Sequence, residues 1–129
     1  MKVVTPKEAF ELCKEGALLL DIRDEFINAF KQFDVELAIN IPLKKLNDKI
    51  NNLPKGQLII IADTSGINSK EVFNNLFKQG FNVCVLAGGF VEWERDGFPI
   101  LINKKERLSG SCACQLRPRE KSKTLAFIN

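Results

Sequence analysis

Histidine is absent from all 129 residues. That removes the commonest general base and the commonest metal ligand, so a Ser-His-Asp or Cys-His mechanism is excluded within this chain. Long apolar runs are missing too. Runs such as Ala17–Leu20 and Leu58–Ala62 fall far short of the ~18 residues that would imply a membrane span, and suit buried strands. The start, Met-Lys-Val-Val-Thr-Pro-Lys-Glu, lacks the apolar stretch and cleavage site of a secretory signal, so a cytoplasmic location without membrane contact is expected. Four cysteines are too few and too scattered for a disulfide scaffold. Cys13 and Cys84 fall inside apolar patterns, where cysteine acts as a small buried hydrophobe. The chain has no internal repeat and no low-complexity run, and no cofactor is expected.

What is present fits one globular domain: 45% hydrophobic and 27% charged residues, with a length suited to a single core. The net charge of +3 is unevenly distributed. Residues 1–102 carry 12 Lys/Arg against 14 Asp/Glu, and residues 103–129 carry 7 against 2. The balance is −2 in the body and +5 in the tail, which divides the chain into a domain at 1–102 and a basic, cysteine-containing tail at 103–129. Basic tails more often face solvent than bind nucleic acid, so no nucleic acid partner is expected.

Strand-like runs alternate with helical patterns, the signature of an α/β fold with an open, mainly parallel sheet flanked by helices. Lys2–Val4 reads as a strand. Thr5-Pro6-Lys7-Glu8 then reads as a helix start with a capping box, continued by Ala9, Phe10, Leu12 and Cys13 and ended by Gly16. Strands are expected at Ala17–Ile22, Leu37–Ile41, Leu58–Ala62 and Asn82–Leu86, the third being the most apolar and central. Helices are expected at about Glu25–Lys31, at Leu43–Leu53 with Leu43, Leu46, Ile50 and Leu53 on one face, at Ser69–Gln79, and from Gly88-Gly89 to Asp96. Gly97-Phe98-Pro99 breaks the pattern, and the organised part ends near Ile102.

Ligands of an open parallel sheet bind beyond the carboxyl ends of its strands. Three segments share that address: Asp21–Asp24, Asp63–Asn68 and Gly88-Gly89. The second passes directly from a buried strand into a helix. Its successive backbone N–H groups and the helix N-terminus make a small anion-binding bowl. Gly66 supplies the backbone freedom for the turn, and Ser69 is expected to cap the helix.

Four segments in order carry a family resemblance: Leu19-Leu20-Asp21-Ile22-Arg23, Ala38-Ile39-Asn40-Ile41-Pro42-Leu43, the loop within Ile59–Ser69, and Leu86-Ala87-Gly88-Gly89-Phe90-Val91-Glu92-Trp93. As a set they resemble rhodanese-like domains over about residues 3–101. The resemblance implies a cysteine at the head of the loop, held as a thiolate that takes up sulfane sulfur as a persulfide. Aligning Gly66 and Ser69 with the family's loop puts Asp63 in that place. The loop residues Thr64, Ser65, Ile67 and Asn68 carry no positive charge, and Phe33-Asp34 replaces the family's glycine-histidine pair. A carboxylate cannot form a persulfide. It is, however, an anion built into an anion bowl, and Asp63 is expected to accept the loop N–H groups itself. Asp21 and Arg23 are expected to support the pocket loops, Gly88 and Gly89 to permit close packing, and Trp93 to lie in the core.

Three functions follow. The first is a module without classical sulfurtransferase activity that binds or regulates a protein partner. The second is a sulfur carrier, sulfurtransferase or redox protein using Cys112 and Cys114, whose neighbours Arg107, Arg117 and Arg119 favour thiolates. That pair offers half of a zinc site and is a weak candidate for a soft metal ion. The third and weakest is an Asp63-dependent phosphatase. It lacks the magnesium-binding carboxylate two residues on, where Ser65 stands, so Asp21 and Asp24 would have to help.

Overall fold

The computed structural model describes residues 1–102; Cys112, Cys114, the apolar stretch Thr124–Ile128 and the rest of the tail lie outside the described residues. Strand β1 (Val3–Val4) leads into helix α1 (Pro6–Lys14). The Thr5 hydroxyl accepts from the Glu8 N–H and the Glu8 carboxylate accepts from the Thr5 N–H, at 3.1 and 2.9 Å, the reciprocal pattern read from the sequence. Strand β2 (Leu18–Asp21), helix α2 (Glu25–Phe30), strand β3 (Lys31–Phe33) and strand β4 (Ala38–Asn40) follow, then helix α3 (Leu46–Lys49). Strand β5 (Ile59–Ala62), helix α4 (Ser69–Lys78), strand β6 (Val83–Leu86), helix α5 (Gly89–Arg95) and strand β7 (Ile100–Ile102) complete the order.

Five strands form one sheet in the order β1-β6-β5-β2-β4, every pair parallel. The most apolar run, β5, is central, and all four of its residues are buried. Side chains alternate between its faces, and the two core clusters follow that alternation. Leu20, Ile59, Ile61, Val83 and Val85 pack with Leu46, Val72, Phe73 and Leu76 from α3 and α4. Leu19, Ile60, Ala62, Cys84 and Leu86 pack with Ala9, Cys13, Phe90 and Trp93 from α1 and α5. The chain leaves β2 toward one edge of the sheet and β5 toward the other, so their carboxyl ends flank the switch point where a crevice must open.

Two expectations need correction. The single helix at Leu43–Leu53 is broken into a 3-10 turn (Leu43–Lys45), the four residues of α3, and a second 3-10 turn (Ile50–Asn52). Asn47, Asp48, Asn51 and Asn52 are weak helix formers. Only Leu46, Ile50 and Leu53 reach the core, while Leu43 is 38% exposed. The helix ending near Lys31 stops at Phe30. Lys31–Phe33 pairs antiparallel with Ile100–Ile102 as a separate ribbon.

Candidate functional site

β5 delivers Asp63 to the switch point, opposite Ile22 at the end of β2, where the Ile22 N–H donates to the Ala62 carbonyl at 2.8 Å. Asp63 is 4% exposed, and its carboxylate is wrapped by its own loop. One oxygen accepts the Gly66 N–H and the other accepts the Asn68 N–H, the latter at 2.8 Å. Gly66 has φ +96°, a left-handed conformation that glycine adopts without penalty and that turns its N–H back onto the carboxylate.

The start of α4 departs from expectation. Asn68 is the capping residue, its side chain makes no cap bond, and Ser69 does not cap the helix. The Ser69 hydroxyl is fully buried without a hydrogen-bond partner among the described residues. The reason is positional: Asn68 takes the capping place and Ser69 is the first residue of the helix proper, while the Asn68 N–H, an orphan donor at a helix start, is satisfied by Asp63 five residues back.

Behind the loop stands the glycine pair. The Phe90 N–H donates to the Asp63 carbonyl at 2.8 Å and the Val91 N–H to the Thr64 carbonyl at 3.0 Å, stitching α5 to the loop backbone. A β-carbon on Gly89 would lie 2.4 Å from the Asp63 carbonyl oxygen, and one on Gly88 would collide with the Glu92 side chain. Close packing is what both glycines permit.

The end of β2 holds Asp21 and Arg23, 2% and 4% exposed. The guanidinium grips the carboxylate through Nε at 2.9 Å and Nη2 at 2.8 Å, and Nη2 also donates to the Lys31 carbonyl at 2.7 Å. Such a planar fork suits two-point recognition of a carboxylate. Arg23 also lies over the Phe90 ring, 4.2 Å from its centroid, and 5.3 Å from that of Phe33. Asn28 donates to the Asp21 carboxylate at 3.0 Å, and Asn40 donates to the Asp21 and Arg23 carbonyls at 2.9 and 3.0 Å. Sequence reading gave neither asparagine a role. The position of Asn40 at the end of β4, level with Asp21, was the available signal.

An open hollow of about 510 Å³ lies at the switch point. Arg23 and Asp24 border it on one side, Pro42, Leu43 and Lys44 on another, and Asp63–Ser65 with Ile67 and Asn68 on the third. Two of the three expected segments therefore meet there. Gly88 and Gly89 do not line the hollow; they back the loop. The wall from Pro42 to Lys44 was not foreseen, because the expected helix enclosed most of it. Asp21 is occupied by Arg23, and Asp24 caps α2 by accepting the Phe26 N–H at 2.8 Å.

Cys13 and Cys84 are buried in the core cluster under α1 and α5 and do not line the hollow. Burial, with a smaller contribution from Cys84, pushes the Cys13 thiol up to about 11. Burial also raises Cys84, against a weaker opposing pull from Lys2. Both are held as neutral thiols. Among the described residues no group of three His, Cys, Asp or Glu side chains is placed to hold a metal ion, and no helix is long and apolar enough to cross a membrane.

Comparison with known proteins bears on this arrangement. Residues 5–96 match the family model of the rhodanese-like domain. The thiosulfate sulfurtransferase GlpE of Haemophilus influenzae is 32% identical over 104 residues, covering 77% of this chain and 93% of that protein. The protein of the same name from Coxiella burnetii is 28% identical, covering 72% and 87%. The crystal structure of a rhodanese-related protein from Thermoplasma volcanium superposes with a TM-score of 0.72 at 22% identity, over 80% of this chain and all of that one.

Proposed function

Because the chain belongs to the rhodanese-like family, we propose that Asp63 stands where the family carries its sulfur-bearing cysteine, and that the loop after β5 does not itself pass sulfur. One observation carries this reading: both Asp63 oxygens accept N–H groups of their own loop. The loop is thus satisfied by a group that takes up no sulfane sulfur. On this reading residues 1–102 serve as a cytoplasmic binding or regulatory domain. The hollow beside Asp63, with Leu43, Ile67 and Lys44 on its walls, is the surface offered to a protein partner. The test is a thiosulfate:cyanide sulfurtransferase assay on the wild type and on Asp63→Cys. Silence in the first and gain in the second is the expected result; equal activity in both overturns the reading.

A second reading keeps the sulfur chemistry and moves it to Cys112 and Cys114. The names of the Haemophilus and Coxiella relatives support sulfur transfer more directly than they support a silent module. In this reading a tail thiolate attacks the outer sulfur of thiosulfate, sulfite departs, and the protein gains a persulfide. Mass spectrometry after thiosulfate treatment separates the two readings. An adduct of one sulfur atom in the wild type, absent from Cys112→Ser/Cys114→Ser, establishes the carrier. No adduct in either chain retains the binding module. The aspartyl phosphatase reading has little support, since Asp21 is held by Arg23 and Asp24 caps α2.

A further inference from the structure

We propose that the exposed apolar face of α2 is the docking surface for the chain's own C-terminal segment, residues 103–129. α2 buries none of its six residues, yet Phe26, Ile27 and Phe30 lie along it. Phe26 is 71% exposed and Ile27 45%, and the Phe26 and Phe30 rings stack edge to face at 5.5 Å. Helices this short draw their stability from tertiary packing of an apolar face, and contiguous exposed apolar side chains beside a pocket mark an interaction surface.

The occupant follows from where the described chain stops. Ile102 pairs with Lys31, the residue immediately after α2, and both Leu101 and Ile102 are exposed. α2 is only ~9 Å long at ~1.5 Å per residue, so the segment leaves within about one short helix of Phe26. It includes Leu125-Ala126-Phe127-Ile128, an apolar match for the face. Leu125 comes 23 residues after Ile102, and at ~3.3 Å per extended residue that reach far exceeds the distance to be covered. Charge favours the same partner: the segment balances +5 against −2 for residues 1–102, and at the start of α2 Asp24 is exposed, while Glu25 pairs with Lys45 at 2.9 Å. Tethering makes the contact intramolecular, at an effective concentration in the millimolar range for short linkers. A separate partner has no such advantage.

The test uses the full chain with Phe127 replaced by the photo-cross-linker p-benzoylphenylalanine. Irradiation is expected to link position 127 to a peptide within residues 24–31 of the same molecule. The yield should fall several-fold in Phe26→Glu/Ile27→Glu, whose exposed positions leave the core intact, with thermal melting as the check on folding. A link between two molecules, a link to another face, an undiminished yield in the double variant, or no internal link each overturns the proposal. Hydrogen exchange supplies an independent measurement. The α2 amides should exchange more slowly in the full chain than in Leu125→Ser/Phe127→Ser/Ile128→Ser, and equal rates count against docking.

Discussion

Replacing Asp63 by alanine should expose what its carboxylate does. The wild-type side chain accepts two backbone N–H bonds, from Gly66 and Asn68. Hydrogen bonds to a charged acceptor contribute ~1.5–3 kcal/mol each. The loop borders an open hollow, so water can take up part of what is lost, and a net destabilisation of ~2–3 kcal/mol is expected. For a domain near 100 residues, each kcal/mol moves the melting temperature by ~4–8 °C, so Asp63→Ala should melt ~10–20 °C below the wild type.

A second measurement separates loss of an internal anion from ordinary damage. The vacated donors of Gly66 and Asn68 still point into the loop, so Asp63→Ala should bind an external oxyanion that the wild type excludes. Sulfate or thiosulfate at ten times its dissociation constant restores ~1.4 kcal/mol to a protein that binds it only when folded. Thermal melts of both proteins across an anion titration, at constant ionic strength with chloride as the balance, provide the assay. The variant should gain stability selectively and the wild type should not. Equal anion responses, or a substitution that costs less than about 0.5 kcal/mol, the range of an ordinary surface change, would refute the idea of a built-in ligand.

Four further outcomes follow from the same structure. Gly89→Ala should cost ~3 kcal/mol or more in urea unfolding, combining overpacking with left-handed backbone strain. Gly97→Ala, whose φ is +84° with nothing within 4 Å of the added carbon, should cost only ~1 kcal/mol. Ser69→Ala should be neutral or stabilising, because it removes a buried hydroxyl that has no partner among the described residues and whose desolvation is otherwise uncompensated. Cys13, raised by burial from 9.0 to about 11, should make stability fall with alkali. Above the unfolded value the native state retains a proton that unfolding releases, so this contribution is present below 9.0 and lost as pH rises toward 11. At pH 10 the loss is ~1.4 kcal/mol, read as the difference in urea midpoint slope between wild type and Cys13→Ala.

Local signals were legible where they were strong. Thr5, Pro6 and Glu8 specify a helix start by short-range chemistry alone, and the structure contains it. The run Leu58–Ala62 is apolar on both faces, which only a central parallel strand requires, so β5 and the address of Asp63 followed. The β3–β7 ribbon was not legible: three residues per strand carry no period, and the partners lie far apart in the chain. The break in Leu43–Leu53 was hidden because Leu46, Ile50 and Leu53 keep helical spacing even when the backbone between them tightens into 3-10 turns. Ser69 does not cap because α4 starts one residue earlier than capping preference suggests, with Asn68 in the cap position and Ser69 inside the helix. Asn28 and Asn40 escaped notice because an amide that braces backbone and carboxylate across strands leaves no pattern in its own neighbourhood.

The loop after β5 asks two things of the residue at its head, and they are separable. Folding asks for an acceptor, because a tight strand-to-helix turn leaves backbone donors pointing inward. Sulfur transfer, if Asp63 stands where we propose the family's cysteine stands, asks that the same acceptor be a polarisable nucleophile. A carboxylate meets the first demand with one oxygen per donor, Gly66 and Asn68, and cannot meet the second. The remaining braces are indifferent to which atom sits there: Arg23 grips Asp21 and stacks on Phe90, and the Phe90 and Val91 N–H groups bind carbonyls, not side chains. Asp63→Cys should therefore retain the fold whether or not it gains activity. On the proposed reading, a folded but inactive Asp63→Cys directs attention to the uncharged loop residues Thr64, Ile67 and Asn68, where adding a lysine or arginine is the next substitution to assay.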